Sequence, residues 1–146
     1  EAVGKEVECS VLGNEEPKAS LPGEVITTTD FYDFESKYVD AESSKTQIPA
    51  SIRDDQIAEV RATATKAYEC MGCQGLARVD FFITEEDEVY VNEINTLPGF
   101  TNISMYPKMW EASGIEYTEL LSLLIELALN KHEKDAKLNI QAKSLN

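Results

Sequence analysis

The sequence lacks long apolar runs and is poor in basic residues, histidine and cysteine. Its 146 residues include 13 Lys or Arg, 1 His and 3 Cys, against 27 Asp or Glu, which gives a formal charge of −14. A transmembrane helix needs about 20 consecutive apolar residues, and a phosphate backbone is bound by an excess of Lys and Arg. We therefore expect neither a membrane nor a nucleic acid as a partner.

The few cysteines and the single histidine exclude further kinds of chemistry. Cys70 and Cys73 form a lone C-x-x-C pair, and Cys9 with His132 does not supply a second pair at the spacing of a zinc site. One histidine in a charged stretch also disfavours Ser-His-Asp and Cys-His catalysis. An odd number of cysteines, with no secretory signal at the start, favours a reducing compartment and predicts a cytoplasmic protein.

The sequence does contain enough apolar residues for a core, in patterns that predict both strands and helices. Hydrophobic residues make up 42% of the chain, and its length suits one domain. Alternating apolar positions predict strands, whereas apolar positions three or four apart predict helices. The predicted strands are 6–12, 24–28, 76–83 and 89–94, the predicted helices are 54–72, 107–114 and 118–131, and 13–23 and 30–49 are predicted loops.

The strongest chemical pattern is an acidic hairpin formed by the last two predicted strands. If Glu86 and Asp87 form a two-residue turn between them, Asp80 faces Glu93 across the strands. Side chains two residues apart on a strand lie on the same face. One face of the hairpin then carries four polar side chains, which are Arg78, Asp80, Glu93 and Asn95.

This face has the donor chemistry of a divalent cation site. Like charges directly opposite one another are unfavourable, and a cation between Asp80 and Glu93 removes that penalty. Mg²⁺ commonly takes one or two carboxylates, with phosphates completing its shell, and Arg78 beside them suits a transferring phosphoryl group. The same spacing also fits a solvated acidic hairpin, and a register shifted by one residue would scatter the set. On the other face, the same register pairs Phe81 with Asn92 and Ile83 with Tyr90.

Longer motifs extend this pattern over most of the chain. GLARVDFF at 75–82 and VNEINTLPGFT at 91–101 resemble the C-terminal part of the D-alanine–D-alanine ligases, which belong to the ATP-grasp superfamily. KEVECSVLGN, LPGE, FYDFESKY and SMYP, at 5–14, 21–24, 31–38 and 104–107, resemble the same family. The resemblance implies an α+β fold, the C-terminal ATP-grasp subdomain, with a mostly antiparallel sheet packed against helices. It assigns 1–134 to that subdomain and leaves 135–146 as a polar C-terminal tail.

The resemblance also implies an activity. These enzymes join two D-alanine molecules through an acyl phosphate made from ATP, and the dipeptide is used for peptidoglycan in the bacterial cytoplasm. The implied substrates are ATP and D-alanine, the implied metals are two Mg²⁺ or Mn²⁺ ions, and the implied intact enzyme is a homodimer. Ligases that make D-alanyl-D-lactate or D-alanyl-D-serine are the alternative within the family. A non-catalytic acidic fragment that binds cations is the alternative outside it.

The motifs carry residue roles with them. By resemblance, Asp80, Glu93 and Asn95 are the metal ligands, Arg78 stabilises the transferring phosphate, and Gly99 lies at the oxyanion site. Other residues match positions that contact the nucleotide or the second substrate. Ser104 and Met105 match positions that hold the second D-alanine, Glu6 matches a ribose contact, Phe31 and Phe82 match positions around the adenine, and Lys37 and Tyr38 match the mobile loop that closes over the site.

Two of these positions indicate which second substrate the family member would use. Tyr38 and Met105 resemble the dipeptide-forming type rather than the depsipeptide-forming type.

The chain lacks the family's N-terminal domain and the central lysines that hold ATP phosphates. We therefore expect a piece of a longer protein that keeps the metal ligands and half of the nucleotide cleft but is inactive by itself.

Overall fold

Six strands and three helices make up the fold in the computed structural model, which describes residues 4–27, 44–101 and 103–143. The strands form one antiparallel sheet in the order β4-β3-β1-β5-β6, with β2 paired to β1. Its elements are β1 (Gly4–Gly13), β2 (Lys18–Ala19), β3 (Gly23–Thr27), β4 (Ser44–Gln47), α1 (Asp54–Cys70), β5 (Gly75–Thr84), β6 (Val89–Asn95), α2 (Met105–Ala112) and α3 (Tyr117–Lys143).

Helix α1 covers one face of the sheet. Odd-numbered residues of β1 and β5 alternate onto this face, as side chains on a pleated strand do, and those from Val7 to Val11 and from Ala77 to Ile83 are apolar. Tyr68 of α1 is fully buried there, and its hydroxyl donates to the Gly13 carbonyl at 2.7 Å. The buried core on this side consists mainly of Val7, Cys9, Val11, Val60, Ala64, Tyr68, Ala77, Val79, Phe81 and Ile83.

Helices α2 and α3 cover only one end of the opposite face. Leu12 packs there against Tyr106, Trp110 and Leu120, and Leu76 lies beside this cluster. The β1–β5 register then runs outward from these helices along the same face, and its residues there are polar except for Phe82. The paired positions are Leu12 with Leu76, Ser10 with Arg78, Glu8 with Asp80 and Glu6 with Phe82. The fold thus leaves a polar, partly open surface on the central strands.

The sequence predicted this architecture in outline, and the predicted strands and helices are all present. Three boundaries were wrong. The predicted loop 30–49 contains β4, the loop 13–23 contains β2, and α2 begins at Met105 instead of Pro107. β4 reads Ser-Lys-Thr-Gln and so gives no apolar alternation. Pro107 is tolerated inside the first turn of α2 because N–H groups there have no partner within the helix.

The last helix is also longer than predicted. α3 was expected to end near 131, but it continues to Lys143, so most of the polar tail 135–146 is helical. No Gly or Pro stops it, and Lys131 pairs with Asp135 one turn on. The division of the chain at residue 134 stays a prediction. Within the described segments, no helix is both long and apolar enough to cross a membrane.

Candidate functional site

The hairpin of β5 and β6 has the predicted pairing at its functional positions. Asp80 is paired with Glu93, and Arg78 is paired with Asn95. The four side chains therefore start from one face of two neighbouring strands, on the surface that α2 and α3 leave open. This part of the register prediction is confirmed.

The turn of the hairpin differs from the prediction. Thr84 accepts from Asp87 N–H at 3.0 Å, and Asp87 has a left-handed φ of 67°, which gives a three-residue loop instead of a two-residue turn. The predicted pairs of Phe81 with Asn92 and Ile83 with Tyr90 are wrong, because Phe81 pairs with Val91 and Ile83 pairs with Val89. A register shift between Asp80 and Phe81 compensates for the longer loop.

Arg78 is held between two carboxylates. Its Nε and Nη2 atoms donate to Oδ1 and Oδ2 of Asp80, each at 2.7 Å. Its Nε also lies 3.3 Å from Oε2 of Glu8, the β1 residue that pairs with Asp80. Sequence reasoning missed Glu8. The alternation of Glu6, Glu8 and Ser10 along β1 was the signal that could have found it.

Negative charge is in excess on this face. Burial raises the pKa of the Glu8 carboxyl to about 7, Arg78 opposes this rise, and the charges of Asp80, Glu6 and Glu93 add to it. The bond to Asp80 raises the pKa of Arg78. Four carboxylates, those of Glu6, Glu8, Asp80 and Glu93, thus share this face with one guanidinium, so a further cation would be stabilised here.

The oxygen atoms on this face can supply some of the ligands of a cation, and a bound phosphate group would supply the others. Among the residues that the structure describes, no group of three or more His, Cys, Asp or Glu is arranged to hold a metal ion by itself. Asp80 and Glu93, with the amide of Asn95 on the same face, match the one or two carboxylates that Mg²⁺ uses beside phosphates. Glu8 Oε2 is buried without a hydrogen-bond partner in the described structure, which is a further sign of missing positive charge.

Two predicted nucleotide contacts lie at the edge of this face. Glu6 pairs with Phe82 across β1 and β5. Both line a small cleft of about 90 Å³, to which Glu8, Asp80 and Asn92 also contribute. Three other predicted positions, Phe31, Lys37 and Tyr38, lie outside the described residues.

The loop after β6 is anchored at both ends. Asn95 Oδ1 accepts from Leu97 N–H at 3.0 Å, and Ser104 Oγ accepts from Thr101 N–H at 3.0 Å. A Cβ atom on Gly99 would lie 3.0 Å from Ser104 Oγ, so these two predicted residues are neighbours.

Ser104 and Met105 stand at the start of α2. Ser104 is the N-cap residue but makes no side-chain bond to the first turn of the helix. Met105 is buried and packs towards Gly23, so only its backbone can face a ligand. The structure therefore brings Gly99 and Ser104 together and leaves the first-turn N–H groups of α2 without a side-chain cap.

A larger cavity lies elsewhere in the described structure. It measures about 740 Å³ and is on the α1 side of the sheet, where Lys5, Arg53 and Asp87 are among its lining residues. Lys5 is 3.4 Å from Glu24, and Arg53 is paired with Asp87. Its basic groups already have acidic partners, and it contains none of the predicted site residues, so we place the candidate site on the acidic face instead.

The sequence matches a known protein family. The family described as "D-ala D-ala ligase C-terminus" matches residues 1–126. The chain belongs to the D-alanine–D-alanine ligase family. The D-alanine–D-alanine ligase A of Escherichia coli K12 is 55% identical over 132 residues, which are 90% of this chain and 36% of that protein. The chain thus spans little more than a third of such relatives.

Solved structures of the family agree with the fold. The D-alanine–D-alanine ligase of Coxiella burnetii is 43% identical with a TM-score of 0.85, over 100% of this chain and 38% of that one. The VanG D-Ala:D-Ser ligase of Enterococcus faecalis is 37% identical with a TM-score of 0.75, over 87% and 37%. A Bacillus anthracis D-alanine–D-alanine ligase complexed with ATP is 26% identical with a TM-score of 0.76, over 92% and 41%. The predicted ATP-grasp C-terminal fold is confirmed.

Proposed function

We propose that this chain supplies the metal-binding, ATP-binding and second-substrate part of an enzyme that joins two D-alanine molecules at the expense of ATP. The observation that carries the proposal is the pairing of Asp80 with Glu93 beside Arg78, on the open face of a D-alanine–D-alanine ligase fold. The relatives named as ligases, and the one complexed with ATP, support the same reading.

The first step is phosphoryl transfer. A carboxylate oxygen of one D-alanine attacks the γ-phosphorus of ATP, the bond to the bridging oxygen breaks, and ADP leaves with that oxygen. Asp80, Glu93 and Asn95 would hold Mg²⁺ or Mn²⁺, two ions in the intact enzyme, which neutralises phosphate charge. Arg78 stabilises the charge on the transferring group from the side, because its guanidinium lies on the same face.

The second step forms the peptide bond. The amine nitrogen of the second D-alanine attacks the acyl carbon, phosphate leaves, and the nitrogen loses a proton. Backbone N–H groups of the loop at Gly99 stabilise the oxyanion, since the missing side chain permits a close approach. Ser104 and the N–H of Met105, at the start of α2, hold the carboxylate of the second substrate.

The nucleotide lies along the same edge of the sheet. Glu6 binds the ribose, and Phe82 borders the adenine, as their shared cleft supports. Phe31, Lys37 and Tyr38 are proposed to complete the adenine site and the closing loop. Bacterial peptidoglycan synthesis in the cytoplasm, by a homodimer, is the setting that we propose for the whole enzyme.

A second candidate is a ligase that uses D-serine in place of the second D-alanine. The likeness to the VanG D-Ala:D-Ser ligase favours this alternative. Met105 cannot decide the choice through its side chain, which is buried against Gly23. Assays with D-alanine, D-serine and D-lactate as second substrates separate the candidates, and we expect D-alanine to be preferred.

A chimeric enzyme tests the proposed function. The matching segment of the E. coli ligase A is replaced by this chain, and D-alanine-dependent phosphate release is measured. We expect Glu93→Gln to abolish this release without unfolding the protein, because a metal ligand is lost. Glu59→Gln, the same change on α1 across the sheet, is the control and should leave the release unchanged.

Near-normal turnover in the Glu93→Gln chimera would contradict the metal-site proposal. If the chimera does not fold, calorimetry of the 146-residue chain with Mg-ATP replaces the assay. Weak binding that disappears in the Glu93→Gln chain supports the proposal, and equal binding by both chains contradicts it.

A further inference from the structure

Arg78 has two carboxylate partners, and they hold it in different ways. Asp80 engages the guanidinium with both of its oxygens at 2.7 Å. Glu8 Oε2, on the neighbouring strand, lies 3.3 Å from Nε and does not form a hydrogen bond with it. Both carboxylates are about 85% shielded from solvent, so these contacts are stronger than ion pairs in water.

The proposed function places two competing demands on Asp80. Each Asp80 oxygen already accepts a hydrogen bond from Arg78. A cation that shares one of these oxygens weakens it as an acceptor and repels the guanidinium. When Asp80 turns an oxygen to a cation, Arg78 loses a charge-assisted hydrogen bond. A long side chain released from such a bond regains rotamer freedom and no longer keeps one orientation.

We propose that Glu8 is the positioning residue that keeps Arg78 in place on this face when Asp80 binds a cation, an inference that rests on the proposed function. Glu8 takes over the Nε–H of Arg78 as Asp80 gives it up. The guanidinium then keeps its position, and its remaining N–H groups point to the phosphate.

Three observations support this role for Glu8. Its Oε2 is buried and has no hydrogen-bond partner in the described part of the chain, so it is available as an acceptor. It lies on β1, which is paired on both sides by β3 and β5 and is therefore a rigid support. Among the described residues, it is the one carboxylate besides Asp80 within 4.0 Å of Arg78.

The neighbours of Glu8 on β1 do not offer the same contact. Ser10 pairs directly with Arg78, but its hydroxyl donates to the Tyr106 carbonyl at 3.2 Å and is buried. Glu6 lies two residues further out, opposite Phe82. Glu6 has the same charge on the same face without an ion pair to Arg78, which makes it a matched control.

Solution NMR of the 146-residue chain tests the role directly, because the Nε–H of arginine gives its own signal. The measured quantity is the solvent exchange rate of the Arg78 Nε–H, assigned with Arg78→Lys, with and without saturating Mg²⁺. In the wild type we expect slow exchange under both conditions. In Glu8→Gln we expect slow exchange without Mg²⁺ and about tenfold faster exchange with it, as for the loss of one charge-assisted hydrogen bond.

The control separates the contact from the charge. Glu6→Gln removes the same charge from the same face, and it should leave the exchange rate unchanged under both conditions. Equal rates for Glu8→Gln and the wild type in saturating Mg²⁺ would overturn the role of Glu8. Failure of Mg²⁺ to shift the backbone amides of Asp80 and Glu93 would instead overturn the proposed metal site, and the role of Glu8 with it.

A double-mutant cycle gives a second readout if the Arg78 signal is broadened. Glu8→Gln is compared in the wild type and in Arg78→Gln, and the affinity for Mn²⁺ is measured. If Glu8 acts through Arg78, its loss weakens Mn²⁺ binding in the wild type and changes it less than about twofold in Arg78→Gln. The same factor in both backgrounds would mean that Glu8 acts only through its own charge, which contradicts the positioning role.

Discussion

A few side chains on the central strands decide what this surface can bind. Arg78 is the only cation among the charged residues of the acidic face that the structure describes, and Asp80 and Glu8 compete for it. The alternation along β1 places Glu8 on a polar face, but its contact with Arg78 depends on the long-range pairing of β1 with β5, which local sequence does not show. Asp80 and Glu93 could be paired, since a short turn joins their strands and limits the possible registers.

Gly99 gives a prediction at the scale of one residue. An added methyl group would meet Ser104 Oγ at 3.0 Å, so Gly99→Ala should lower the free energy of unfolding by about 0.5–1 kcal/mol. In a Ser104→Ala background that contact is gone, and the same change should be neutral or stabilising because it restricts the unfolded chain. Urea unfolding of the four chains measures both effects. An equal cost in both backgrounds would show that Ser104 is not the obstacle.

At the scale of elements, the hairpin and the last helix show where local patterns succeed and fail. The β5–β6 pairing was predicted from an assumed two-residue turn, and the real three-residue loop is offset by the shift beside Asp80. The functional pairs were therefore correct although the pairs near the turn were not. The end of α3 was predicted too early because the prediction relied on apolar periodicity. The mainly polar residues that follow have good helix propensity and continue the helix without that periodicity.

Truncation of α3 tests the boundary that we predict at residue 134. Ala136, Lys137 and Leu138 are exposed, so removing 135–146 should change the free energy of unfolding by less than about 0.5 kcal/mol. A cut after 126 is the control, because Leu127 is partly buried against the core and its carbonyl accepts from Asn14 at 3.0 Å. That cut should cost about 2 kcal/mol or more. Thermal and urea unfolding compare the chains, and a large loss from the shorter cut would refute the boundary.

In the part of the chain that the structure describes, a packed face of the sheet lies opposite an acidic face that the helices cover only in part. α1 shields one side of the sheet completely at its centre, whereas α2 and α3 shield only part of the other. The charge of −14 argued against polyanions, and the fold shows that part of this charge is concentrated where a cation would be stabilised.

We propose that Asp80 and Glu93 together hold a divalent cation, and Mn²⁺ binding followed by electron paramagnetic resonance is the sharpest test of this site. The 146-residue chain is compared with Asp80→Asn, with Glu93→Gln and with Glu86→Gln in the hairpin turn, which removes a charge away from the face. We predict that Asp80→Asn and Glu93→Gln each weaken Mn²⁺ binding about tenfold or more, as expected when one of two carboxylate ligands is lost, and that Glu86→Gln does not. Equal Mn²⁺ affinity in all four chains would contradict the claim.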